Sequence, residues 1–158
     1  ILGVGLIIVF IYNIFFYLHQ YHTHMSRYRP WYRQDGYKEL ITKINNLLPK
    51  YKKVIITNRE SAPAVFFLFF GKYSPSLFQK EKQTDMHDYD RINFGKYEFS
   101  QEECPLKLIE ENGKMVIKGG ENILYVDSGL CKVPRGVRVL DYIKRSDNSL
   151  AFFILEPF

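Results

Sequence analysis

The first eighteen residues, Ile1 to Leu18, contain no charged side chain, and Asn13 is their only strongly polar one. A helix rises 1.5 Å per residue, so a helix of this length spans roughly 27 Å, close to the thickness of a bilayer's hydrocarbon core. Beyond Gln20 the chain has the mixed composition of a water-soluble domain. The stretch therefore predicts a transmembrane helix that carries a globular domain.

The stretch has two other interpretations, a signal peptide and a buried core helix. A signal peptide needs a Met start, a basic first region and small residues at a cleavage site. The chain instead opens at Ile1, and the stretch ends in bulky residues. A core helix remains the alternative. Because the first residue is not Met, we expect residues 1–20 to be the last helix of a larger membrane bundle.

The charge of the chain indicates which partners suit it. The net charge of +5 fits a surface near anionic lipid or a phosphorylated ligand. The positive charge is not concentrated enough to favour nucleic acid, and a membrane helix argues against that partner. We therefore expect membrane lipid as a partner and no nucleic acid. The expected larger bundle adds the upstream transmembrane helices of the same protein as partners.

Residues 21–36 form a predicted membrane-interface collar. Aromatic and arginine side chains are interleaved there: Tyr21, Tyr28, Trp31, Tyr32, Arg27, Arg29 and Arg33. Amphipathic aromatic rings and long cationic side chains are typical of the headgroup region. Pro30 and Gly36 predict that no single helix continues through the collar.

The segment after the collar alternates helix and strand signals. From Tyr37 to Leu48 the apolar residues recur at helical spacing, and Pro49 predicts the end of that helix. Lys52 to Thr57 is a short β-branched run, typical of a buried strand. Pro63 then precedes an aromatic run through Tyr73 that predicts a core helix. We expect a loop after Phe78.

The second half of the chain carries strand signals. Single strands are predicted at Ile92–Phe99, with a bend at Gly95, and at Ile123–Asp127. A hairpin is predicted about Asn112-Gly113, with a short helix before Asn112 as the alternative. A closing pair of strands is predicted at Arg138–Ile143 and Leu150–Leu155. Short apolar strands separated by helices are typical of parallel sheets, whereas the closing pair is antiparallel. We predict an α/β fold, with residues 37–158 forming a small α/β sandwich with a mixed sheet and a C-terminal β-hairpin.

Two cysteines, Cys104 and Cys131, lie 27 positions apart and form no C-x-x-C motif. If the domain faces an oxidising compartment, they are a possible disulfide. The alternative is two separate buried thiols.

The turn at Asn58, Arg59 and Ser61 is a weak ligand candidate. It follows the first strand and precedes a helix, the place where open α/β sheets collect ligands and where a helix terminus attracts anions. No glycine-rich loop accompanies it, and Ser61 as a simple helix cap is the competing interpretation.

Other constellations predict no chemistry. We interpret His19, His22 and His24 as interface side chains and residues 85–90 as a solvated acidic loop, so no metal site is predicted. There is no G-x-S-x-G motif and no arranged Cys–His pair. The residues themselves predict no cofactor and no catalytic group.

Several stretches together resemble the C-terminal part of bacterial family-39-type membrane glycosyltransferases, the relatives of protein O-mannosyltransferases and of the aminoarabinose lipid A transferase. Tyr21–His24 with Ser26, then Arg33–Glu39, is similar to that family's passage from the last membrane helix into a soluble domain. Lys53–Thr57 and Pro63–Gln79 resemble its strand, its aromatic helix and the segment after it. Val139–Glu156 resembles its closing hairpin.

The resemblance implies an integral protein of the bacterial plasma membrane that transfers a sugar from a polyprenyl-phosphate-linked donor to an extracytoplasmic acceptor. It implies catalytic residues upstream of this chain and a soluble domain outside the cytoplasm. On that view Trp31, Tyr32, Arg33, Tyr37 and Lys38 face lipid headgroups or the polyprenyl phosphate; simple anchoring and packing is the alternative. Arginines close to the helix favour the cytoplasmic side, yet large domains translocate largely regardless of charge.

A second function stays open beside the first. The chain also fits a membrane-tethered binding or sensor domain with no enzymatic activity. The sequence does not decide whether this part of the protein is itself an enzyme; a glycosyltransferase is expected for the whole.

Overall fold

A computed structural model describes residues 2–28, 34–57, 59, 63–81, 92–111, 114–117 and 122–157. Its first element is a long helix that begins with α1 (Leu2–His19), passes through a π-helical turn (Gln20–His24) and ends with α2 (Met25–Tyr28). None of the span Gly3–His24 is buried, and this span is long and apolar enough to cross a membrane. The side-chain amide of Asn13 donates to the Val9 carbonyl at 2.8 Å, so the helix satisfies its own polar residue.

Helical structure extends further into the collar than the sequence predicted. The transmembrane segment was expected to end at residue 20, but α2 continues to Tyr28. Between Leu6 and Tyr28 the sequence contains neither glycine nor proline, so no helix-breaking residue interrupts this stretch. The collar is therefore helical in its first half.

The helices of the domain follow the predicted pattern with one exception. They are α3 (Tyr37–Leu47), extended by a 3₁₀ turn (Leu48–Lys50), and α4 (Pro63–Phe70). The exception is α5 (Pro75–Lys80), which includes residues expected to be loop. Pro75 occupies its first turn, where a missing N–H is tolerated, and the Phe78 N–H donates to the Ser74 carbonyl at 3.0 Å.

Five strands form a mixed sheet. They are β1 (Lys53–Ile56), β2 (Tyr97–Phe99), β5 (Ile123–Ser128), β6 (Val137–Lys144) and β7 (Leu150–Pro157), in the spatial order β2-β1-β5-β7-β6. Strand β1 is parallel to β2 and β5, whereas β7 is antiparallel to β5 and β6. The predicted α/β fold, mixed sheet and terminal hairpin are confirmed.

A separate hairpin consists of β3 (Leu108–Glu111) and β4 (Lys114–Ile117), with Glu111 opposite Lys114. This confirms the predicted hairpin over the alternative helix, although its turn residues lie outside the described part. The strand predicted at Ile92–Phe99 is shorter than expected. The chain turns at Gly95, whose φ of +53° suits glycine, and only β2 remains extended.

The main core lies between the sheet and the two helices α3 and α4. Leu40, Ile41 and Ile44 of α3 and Phe67 of α4 are almost completely buried. They pack on one face of the sheet, to which Val54, Ile56, Leu124, Val126 and Ile154 belong. The opposite face carries a smaller cluster of Leu106, Tyr125 and Leu155.

Candidate functional site at the tether end of the domain

Residues 29–36 join the long helix to α3, and we call them the tether. The tether enters the domain through Gln34–Gly36, which is attached to the turn between β6 and β7. Asp35 Oδ2 accepts hydrogen bonds from the Ser146 amide at 2.7 Å and from the Ser146 hydroxyl at 2.5 Å. Gly36 has a φ of +100°, and a Cβ there would lie 3.1 Å from Ile143 Cγ2 and 3.3 Å from Ala151 Cβ. The entry point is therefore held against the terminal hairpin by two adjacent residues.

Tyr37 anchors the first turn of α3 in the core. Its side chain is 1% exposed, and its ring stacks on Phe66 at 4.8 Å and contacts Phe152 at 5.0 Å between centroids. The expectation that Tyr37 faces lipid headgroups is wrong, because an aromatic residue at a helix start is drawn between the helix layer and the sheet. Trp31, Tyr32 and Arg33 lie outside the described residues.

Lys38 does face solvent, in a groove of about 450 Å³ beside the entry point. The groove runs between the first two turns of α3 and the end of β6. It is lined by Asp35, Gly36, Lys38, Glu39, Thr42, Lys43 and Lys144. We call this groove the tether groove.

The cations of the tether groove differ in their partners. Lys43 Nζ is paired with Glu39 at 3.0 Å and with Asp141 at 2.8 Å. The hydrogen bond to Asp141 raises the pKa of Lys43, and the same contact holds the pKa of Asp141 below its usual value. Within the described residues, Lys38 and Lys144 have no carboxylate partner; Lys144 Nζ lies 5.6 Å from the centroid of the Tyr142 ring. Two ammonium groups at the tether groove thus remain available to an anion.

The second predicted ligand position, after β1, is occupied by internal contacts. Thr57 is buried; its hydroxyl donates to the Glu103 carbonyl at 2.6 Å and accepts from the Arg59 amide at 3.2 Å. The guanidinium of Arg59 is itself paired with the Glu103 carboxylate at 3.2 Å. Asn58 and Ser61 lie outside the described residues. Arg59 thus links Glu103 to the end of β1 through an ion pair.

Cys104 and Cys131 form a disulfide, with Cα atoms 5.8 Å apart, which decides between the two alternatives left by the sequence. The bridge joins the segment that covers the smaller core to the loop after β5. Beneath this segment lies Asp127, which is 1% exposed and accepts a hydrogen bond from the Leu106 amide at 3.2 Å. Burial raises the pKa of Asp127 to about 7.

The topology brings these features to one end of the domain. Parallel strands β1 and β5 both end there, and Ser128, the last residue of β5, pairs with Phe152. Phe152 contacts Tyr37, the first residue of α3. The tether groove, the Arg59 contact and the β6–β7 turn therefore lie at the carboxyl end of the parallel strands, where ligands of open α/β sheets bind.

Sequence reasoning identified Lys38 but missed Lys144 and Asp35. Lys144 is more than one hundred positions away along the chain, and no local pattern marks it as a neighbour of Lys38. In the described part of the chain, no three His, Cys, Asp or Glu side chains are grouped to hold a metal ion. The acidic residues 85–90 lie outside that part.

The chain matches no protein-family model, no curated protein and no solved structure.

Proposed function

We propose that this chain is the last transmembrane helix and the extracytoplasmic domain of an integral-membrane glycosyltransferase. The enzyme transfers a sugar from a polyprenyl-phosphate-linked donor, and the domain binds the donor's phosphate in the tether groove. The observation that carries the proposal is the pair of ammonium groups, Lys38 and Lys144, that line the groove beside the point where the chain enters the domain and have no carboxylate partner among the described residues. The resemblance supplies the reaction class.

The length of the tether supports this placement. Gln20 to Tyr28 continues the apolar helix by nine residues, which rise roughly 13 Å and carry it through the headgroup region. Only residues 29–33 separate Tyr28 from Gln34, and six Cα–Cα steps reach at most about 22 Å. With α1 in a bilayer, the tether groove lies within about 22 Å of the helix end that emerges at the membrane surface, within reach of a lipid-linked phosphate.

The chemistry of the groove suits a phosphate held near a membrane. Lysine ammonium groups bind phosphate as compact point charges and bring three donors each. Lys43 is already neutralised by Glu39 and Asp141, so it shapes the groove and leaves Lys38 and Lys144 to the ligand. In this role the domain binds and positions the donor, while the catalytic carboxylate of the resembling family lies upstream.

The disulfide supports an extracytoplasmic location. Disulfides persist in oxidising compartments and are rare in the cytosol. The bridge Cys104–Cys131 closes a loop at the end of the domain that holds the tether. This favours the side of the membrane on which polyprenyl-phosphate-linked sugars are used by the resembling family.

The test uses the full-length membrane protein in vesicles with a polyprenyl-phosphate-linked sugar. Lys38→Ala and Lys144→Ala should each raise the KM for the donor about tenfold, since a charged hydrogen bond contributes about 1.5–3 kcal/mol. The kcat should change little, because neither residue takes part in the chemistry. Lys80→Ala, at the far end of the domain, is the matched control and should leave KM unchanged.

Two outcomes separate the proposal from its alternative. If the wild-type protein transfers no sugar but binds polyprenyl phosphate through Lys38 and Lys144, the chain is the membrane-tethered binding or sensor domain instead. If the two alanine variants keep the wild-type KM, the tether groove does not hold the donor.

A further inference from the structure

Helix α4 presents an apolar surface on its outer side. Its sequence, Pro63–Phe70, contains no polar side chain. Pro63, Ala64 and Phe67 are buried against the sheet layer, whereas Val65 is 54% and Phe69 is 74% exposed. A helix that is hydrophobic on all sides is normally covered on all sides. The outer face of α4, defined here by Val65 and Phe69, therefore lacks the polar residues that a water-facing helix carries.

The position of α4 indicates what covers this face. Phe66 stacks on Tyr37, the first residue of α3, so the first turn of α4 lies beside the entry point of the tether. Because at most about 22 Å of chain joins the end of the long apolar helix to that entry point, the first turn of α4 lies within reach of the surface from which that helix emerges.

We propose that the outer face of α4 inserts into the interfacial layer of the same bilayer that α1 crosses. Val65 and Phe69 enter the boundary between headgroups and acyl chains, as the apolar side of an interfacial helix does. The domain then touches the membrane at two places, the tether and α4, which fixes its tilt. This inference depends on the membrane role of α1 in the proposed function, but not on sugar transfer.

The experiment measures the depth of α4 by tryptophan fluorescence in the full chain. Trp31 is the only tryptophan, so Trp31→Phe provides a silent background. Phe69→Trp and Val65→Trp place a reporter on the outer face of α4. The chain is reconstituted in vesicles of phosphatidylcholine and phosphatidylglycerol, with and without lipids brominated on their acyl chains.

Leu77→Trp is the matched control. Leu77 is 54% exposed, the same fraction as Val65, and lies on α5. The end of α5 is held at the opposite end of the sheet, where Glu81 accepts a hydrogen bond from the Gly95 amide at 3.0 Å, just before β2 begins. A reporter at Leu77 should therefore remain in water.

The proposal expects blue-shifted emission and quenching by brominated lipid for Phe69→Trp and Val65→Trp, and neither effect for Leu77→Trp. Equal quenching at all three positions, or none at any, overturns it. A blue shift that is not quenched and grows with the protein-to-lipid ratio also overturns it, because a second copy then covers α4. Flotation checks α1 separately: a chain that does not float with the vesicles overturns the membrane role of both elements, whereas failed sugar transfer affects neither.

Discussion

At the scale of single residues, Asp35 is the link between the tether and the folded domain. Its carboxylate accepts two hydrogen bonds from Ser146, which lies 111 positions away along the chain. Asp35→Ala should lower the free energy of unfolding by about 1–3 kcal/mol, because charge-assisted hydrogen bonds contribute in that range. Urea denaturation followed by circular dichroism measures this change.

The control for Asp35 is Glu102→Ala, which removes a carboxylate from an exposed pair with Lys107. Exposed pairs contribute little, so this variant should stay within about 0.5 kcal/mol of wild type. Equal losses in the two variants would show that the Asp35–Ser146 contact stabilises the fold no more than the exposed Glu102–Lys107 pair does.

Asp127 makes stability depend on pH. Burial raises its pKa in the folded protein to about 7, above the unfolded value of 3.8, so the folded state holds the extra proton between those two values. Stability therefore falls as pH rises through this window. Asp127→Asn keeps an acceptor for the Leu106 amide and removes this decrease of stability with rising pH. The variant should gain up to roughly 4 kcal/mol at pH 8, since one pH unit of pKa corresponds to about 1.4 kcal/mol.

Asp141 makes stability depend on pH in the opposite direction. Its pKa is lowered by Lys43, so its contribution is present above the unfolded pKa and is lost as pH falls. Asp141→Asn should therefore destabilise the protein at neutral pH and flatten the acid side of the curve. Thermal unfolding at pH 5 and pH 8 separates the two variants, and a D127N protein that keeps the wild-type slope between them would contradict the assignment.

At the scale of elements, the disulfide is the covalent link between the covering segment 101–107 and the loop after β5. For the 27 positions that separate the two cysteines, the lost chain entropy of the unfolded state gives a stabilisation of about 3.6 kcal/mol. In the double variant Cys104→Ser/Cys131→Ser, the free energy of unfolding measured by urea denaturation should fall by that amount. Reductant should lower the free energy of unfolding of the wild type equally and leave that of the variant unchanged. A wild type that is insensitive to reductant would contradict the role given to the bridge.

Local sequence patterns predicted some of the helices and strands and not others. Helix α3 and strand β1 follow their predicted bounds within a residue, because helical and β-branched periodicity are local properties. Helix α5 was missed, since six residues leave too short a period to detect. The loss of strand at Ile92–Phe99 comes from the turn at Gly95, whose direction depends on contacts such as the Glu81 carboxylate on its amide.

At the scale of the whole molecule, the two sheets differ in how many neighbouring strands and buried side chains stabilise them. Strands β1 and β5 are flanked on both sides and carry fully buried residues such as Val54 and Leu124. The β3–β4 hairpin forms a two-stranded sheet of its own, and isolated hairpins are marginal in water. Amide hydrogen exchange should therefore be slowest in β1 and β5 and markedly faster in β3–β4. Equal protection would mean that the hairpin belongs to the main cooperative unit.

The sequence by itself determined the apolar helix, the order of helices and strands, the mixed character of the sheet and the candidate cation Lys38. Each depends on charge, periodicity or turn residues within a short window. Only the tertiary structure decided that β7 lies between β5 and β6, that Tyr37 is buried, that Cys104 pairs with Cys131 and that Lys144 joins Lys38. These are contacts between distant parts of the chain, selected by the burial of the whole core rather than by neighbouring residues.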